Sequence, residues 1–126
     1  MDIASFLKGA VTPEQITALQ AQFDHAAYEA GIETISAAGA LSVTKRFSKL
    51  NVTGTTAYTL ADGTFVGQRK SIICVAGAST PAGTITPAHP TGFATVSAIG
   101  AIGDACEFIW DGAAWFLGAN AGVTVA

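Results

Sequence analysis

Ala105-Cys-Glu-Phe-Ile-Trp-Asp-Gly-Ala-Ala-Trp-Phe-Leu-Gly118 is the stretch on which the fold turns. Aromatic and β-branched residues, the types that fit a pleated half-buried surface, flank Asp111-Gly112, a dipeptide that tolerates the positive φ of a tight hairpin turn. Two antiparallel strands are therefore expected, over 105–110 and 114–118. With a two-residue turn, Trp110 faces Ala113, Phe108 faces Trp115 and Cys106 faces Leu117, which collects one large apolar set on a single face. Glu107 opposite Phe116 belongs to the other face.

Working backwards from this hairpin, glycine and proline punctuate β-branched and aromatic runs at short intervals from Leu41 onward. Strands are predicted over 42–47, 56–60, 68–76, 83–86 and 93–97, with a closing strand within 122–125 and a reversal at Asp62-Gly63. In 68–76, Ile72, Cys74 and Ala76 alternate with Ile73 and Val75, which leaves no polar face over the second half and predicts a central or sandwiched strand. A nine-residue echo between 81–86 and 90–95 is too short for a solenoid repeat. The expected fold is mainly β, antiparallel strands in a sandwich or barrel-like module, with Ile72, Cys74, Phe108, Trp110 and Trp115 in its core or in an oligomer interface.

The start of the chain has another period. Thr12-Pro13-Glu14-Gln15 combines an N-cap hydroxyl, proline at the first helical position and a capping-box glutamine. Ile16, Leu19, Phe23 and Ala26 or Ala27 follow at helical spacing, with Gly31 as the stop through a left-handed conformation. The narrow stripe of Ile16, Leu19 and Phe23 packs either on the β module or against copies of itself. Asp2 caps a second short turn carrying Ile3, Phe6 and Leu7, and Ala37 to Ala40 read as a linker. This divides the chain into an N-terminal helical segment with linker, 1–40, and a β-rich module, 41–126.

Only 12% of the 126 residues are charged, against roughly a quarter in ordinary soluble domains. All six Lys and Arg lie at or before Lys70, and beyond it only Asp104, Glu107 and Asp111 carry charge. A surface so poor in charge resists self-association weakly, so an oligomer or a subunit docked on a particle is expected. A net charge of −3 argues against nucleic acid as a partner, and no apolar run reaches the ~18 residues of a membrane span. Asp2 and the short run from Ile3 to Leu7 do not suit a secretory signal.

Catalytic chemistry finds few candidates. His25 lies within the helix beside Asp24, and His89 lies in the rigid turn Pro87-Ala-His-Pro90. Cys74 and Cys106 sit in apolar runs, where a free thiol acts as a small hydrophobe, and neither has metal-ligand spacing. Asp104, Glu107 and Asp111 are too few and too turn-bound for a paired-carboxylate site. No catalytic residue, metal ligand or cofactor is predicted, and the chain is read as a non-enzyme. Lys45, Arg46, Lys49, Arg69 and Lys70 form a basic group that suits a solvated strand edge or a contact with an acidic partner.

The block from Asn51 to Val75, with Tyr58-Thr-Leu60, Asp62-Gly63 and Gly67-Gln-Arg-Lys70, together with the ending Gly103-Asp104 to Trp115, resembles a module of bacteriophage head-fibre and capsid-decoration proteins. The resemblance covers roughly the last two thirds of the chain. It implies a structural virion protein, a homotrimer on the capsid surface whose partners are itself and the major capsid protein, made in the bacterial host cytoplasm. By the same likeness the N-terminal segment, with Ile3, Phe6 and Leu7, meets the capsid and the β module projects outward. The alternative is a tail-fibre or receptor- and glycan-binding module, which requires Trp110, Trp115, Tyr58 or Phe93 to form an exposed groove.

Overall fold

A computed structural model describes residues 12–52, 54–77 and 82–126; Ile3, Phe6 and Leu7 lie outside them. Helix α1 (Pro13–Ala30) begins as its sequence dictates: the Thr12 hydroxyl accepts the Gln15 N–H at 3.3 Å while the Gln15 side chain accepts the Thr12 N–H at 2.9 Å. Its end differs from expectation. Gly31 is extended (φ −75, ψ 131) and leads straight into a strand, and its missing side chain makes room for Lys45. Here glycine serves close packing rather than a left-handed cap.

Among the described residues eleven strands follow: β1 (Ile32–Ile35), β2 (Gly39–Leu41), β3 (Phe47–Val52), β4 (Thr56–Leu60), β5 (Arg69–Gly77), β6 (Gly83–Pro87), β7 (Pro90–Thr91), β8 (Val96–Ile99), β9 (Ala105–Trp110), β10 (Trp115–Ala121) and β11 (Thr124–Val125). They form two packed mixed sheets, a six-stranded one in the order β1-β3-β5-β9-β10-β7 and a five-stranded one in the order β11-β8-β6-β4-β2. The mainly β sandwich with an N-terminal helix is thus present. Its pairing is not antiparallel throughout, as five of the nine described strand pairs are parallel.

The cause is the path of the chain. From β1 to β9 each strand is followed by one in the opposite sheet, so the return stroke is made across the sandwich. β1, β3 and β5 consequently run parallel in one sheet, and β2, β4 and β6 run parallel in the other. The hairpin of β9 and β10 is the step made within a sheet. Residues 32–35 and 39–40, expected before the β module, lie in sheet strands, and of the expected strand at 42–47 all but Phe47 is the connection into β3.

Within the hairpin, Trp110 pairs with Trp115 and Phe108 with Leu117, while Cys106 lies opposite Asn120 beyond a bulge. The turn spans four residues because the Asp111 carboxylate accepts the N–H groups of Ala113 (2.8 Å) and Ala114 (2.7 Å). The register moves by two residues from the expected one. A shift of two keeps each side chain on its own face, so the apolar set still points inward.

Leu41, Leu50, Leu60, Ile72, Cys74, Ile85, Ile99, Phe108 and Trp115 fill the space between the sheets. The Trp115 indole N–H donates to Ala61 O at 2.9 Å, Trp110 lies 5.3 Å from Trp115 between ring centroids, and Phe93 stacks on Phe108 at 5.7 Å. A polar layer lies beside this core. The fully buried Lys70 ammonium donates to Lys45 O at 2.8 Å and stands 3.6 Å from Glu33, whose carboxylate also accepts Ser42 N–H and Ser48 Oγ–H. Buried Gln68 donates to Val43 O and accepts from Thr64 N–H.

Candidate functional site

The apolar residues that sequence spacing placed on one helix stripe find little cover. Tyr28, near the helix end, is the buried residue of α1; its hydroxyl donates to Arg69 O and its ring packs edge-on against Phe65 at 5.4 Å. Ile16 and Leu19 are half-buried and Phe23 is 54% exposed. Helix α1 is therefore anchored by its last turn, while Phe23, Ala26 and Ala27 of its stripe lie open.

A second open apolar surface lies on the outer face of the six-stranded sheet. β5 sits between β3 and β9, yet it is covered on one side only: Ile72 and Cys74 are buried, whereas Ile73 and Val75 face outward and are exposed. The expectation of a strand covered on both faces is corrected accordingly. Register places Ile32 beside Phe47, and Phe116 beside Ile109, on this same outer face. A shallow groove of about 310 Å³ crosses it, lined by Phe47, Ile73, Ala105, Ala119 and Ala121, with Glu107 as its charged residue.

The basic group seen in sequence is dispersed. Lys70 points into the sandwich, and its burial pulls the ammonium pKa down to about 8 against the opposing pull of Glu33. Arg46 pairs with Glu29 and approaches Glu107 at 3.7 Å, and Arg69 meets Glu107 at 2.9 Å. These two guanidiniums and two carboxylates form a balanced network at the border of the groove. Lys45 and Lys49 are exposed.

His25 lies 3.5 Å from Glu29 and 4.9 Å from the Phe65 ring centroid. His89, in a left-handed backbone conformation (φ 48), holds Asp62 through Nδ1 at 2.7 Å on an exposed turn and accepts Trp115 N–H on its carbonyl. Proximity of His89 to Asp62 was not legible in sequence, because the two lie on different connections that the sandwich brings together. Cys74 and Cys106 are free and buried, and burial raises both thiol pKa values, that of Cys106 to about 12. Among the described residues no group of three or more His, Cys, Asp or Glu converges as a metal site, and no helix is long and apolar enough to cross a membrane.

Ile72, Cys74, Phe108, Trp110 and Trp115 are core residues of the single chain, which separates them from the exposed Phe23. Tyr58 is buried as well, and Phe93 is half-buried against Phe108, so the four rings required for a glycan groove do not form an exposed platform. Outward Phe47, Val75 and Phe116 make the open face instead. Alternation in the sequence places Phe116 with Glu107 away from the apolar set and Val75 on the face opposite Cys74, whereas it does not single out Phe47. No family model matches the chain, and no curated protein matches it.

Proposed function

We propose that this chain is a structural virion protein that decorates or stabilises a phage capsid as a homotrimer, with its own copies and the major capsid protein as partners. The observation that carries this reading is the apolar stripe of α1, in which Ile16 and Leu19 are only half-buried and Phe23 is 54% exposed. A stripe at 3–4 spacing is buried most simply by the same stripe of other copies, as in a short helical bundle. Closed symmetry then lets a ring of three meet a capsid point of matching symmetry.

In this role the chain performs no catalysis and binds neither nucleic acid nor membrane. The apolar helix would organise the trimer on the capsid surface, while the sandwich supplies rigid area that spreads load over neighbouring capsid subunits. Native mass by light scattering after size exclusion tests the assembly; a species near three times 12.7 kDa is expected. Co-sedimentation of that species with phage heads lacking it tests the docking. A chain that stays monomeric at micromolar concentration, or trimers that leave such heads bare, would overturn the reading.

A further inference from the structure

A sheet with one face in water normally alternates apolar inward and polar outward. The six-stranded sheet breaks this rule at outward positions: Ile32 is 59% exposed, Phe47 38%, Ile73 37%, Val75 38% and Phe116 41%. Taking roughly 200 Å² for a whole large apolar residue, these five leave on the order of 400 Å² of apolar surface in water, in two parts: Ile32, Phe47, Ile73 and Val75 on β1, β3 and β5, and Phe116 on β10 at the level of Arg69. The groove beside Phe47 and Ile73 has a floor of small residues, Ala105, Ala119 and Ala121. Phe116 stands on the same face outside the groove, a ring with no hole of its own.

The charges select the occupant. Arg46 and Arg69 are offset by Glu29 and Glu107 at the groove border, which leaves exposed Lys49, beside Ile73, as the cation of this face without a carboxylate partner among the described residues, and one lysine is no cluster for phosphate or an anionic lipid surface. It is matched by an equally uncharged surface, and a copy of this chain has one, because its residues from Ser71 to Ala126 carry only three charged side chains. Area agrees with this choice. A standard interface buries ~800 Å² per partner, and an apolar centre of about half that, rimmed by a neutral ion-pair network, has the usual anatomy.

We infer that copies of this chain meet on the outer face of the six-stranded sheet, the Phe116 ring of one copy seated in the groove between Phe47 and Ile73 of the next. This rests on the self-association proposed above and adds the sheet face to the helix stripe as a second surface that the assembly needs. Every copy presents both ring and groove, so the contact repeats from copy to copy, and a rotation of one third of a turn per step closes it in the ring of three proposed above.

The test compares native masses of the full chain and of two exposed-site variants, Phe116→Asp and Ala119→Arg, the second filling the groove. Near-UV circular dichroism checks that each keeps the packed Trp110 and Trp115. Both variants are expected to fall from the wild-type mass to 12.7 kDa. A double variant, Phe116→Cys with Ile73→Cys, gives a second measurement: one strand, β9, lies between the two positions and they are offset by four residues along it, too far for a bridge within one copy. Mild oxidation should give covalent oligomers in the double variant and none in either single variant. Folded variants that keep the wild-type mass, with a double variant that stays a single chain, overturn the assignment of this face while leaving the trimer standing. A monomeric wild type overturns both, and a dimer that still cross-links upholds the contact against the trimer.

Discussion

Lys70 offers the most direct measurement of the buried polar layer. Its ammonium is fully buried, is bonded to Lys45 O and stands 3.6 Å from Glu33, and burial lowers its pKa from 10.5 to about 8. Below pH 8 folded and unfolded chains both hold this proton, and the penalty for burying the charge is constant and complete. Between pH 8 and 10.5 the folded chain releases the proton while the unfolded chain keeps it, so the unfolded state binds more protons and stability from this group rises with pH. The shift corresponds to about 3 kcal/mol across that window, at most ~1.4 kcal/mol per pH unit. Buried thiols act in the opposite direction, because a Cys106 pKa raised to about 12 lets the unfolded chain lose its proton first above pH 9. The comparison therefore needs Lys70→Met, which keeps the thiols and removes the ammonium. Urea unfolding followed by fluorescence of buried Trp110 and Trp115, at one protomer concentration, should show wild type gaining about 3 kcal/mol on the variant from pH 7.5 to 10.5. Parallel pH profiles would refute the argument, since they would mean that Lys70 titrates alike in both states.

Gly63 lies against the Trp110 ring, where a Cβ would overlap the indole; Gly63→Ala should cost about 2 kcal/mol in urea unfolding, and a neutral outcome would place the ring elsewhere. The buried Tyr58 hydroxyl makes no hydrogen bond among the described residues, so Tyr58→Phe should leave stability within ~1 kcal/mol of wild type or raise it, and a larger loss would reveal a partner for that oxygen. Cys74 and Cys106 should resist maleimide labelling at neutral pH in the native chain and both react in urea, as read by intact mass; fast native labelling would contradict their burial.

The sequence by itself determined the elements whose signals are local. Thr12-Pro13-Glu14-Gln15 starts α1 because its groups satisfy the first free N–H donors of the helix, whatever the rest of the chain does. β4 over 56–60 and β9 over 105–110 follow from alternation bounded by turn residues, and Ile72, Cys74, Phe108, Trp110 and Trp115 reach the core because a period of two survives a register shift of two. Tertiary structure alone decided the direction of pairing. Alternation reads the same in a parallel and an antiparallel strand, and nothing local says that the chain crosses the sandwich after β1, β3 and β5 before it returns. It also decided which basic residues meet water: Lys70 and Arg69 are neighbours in sequence, but opposite faces of one strand bury the first beside Glu33 and set the second against Glu107 outside. The open outer face has the same origin, because an apolar run such as 72–76 becomes surface or core according to what the folded chain lays over it, and Ile73 and Val75 remain exposed.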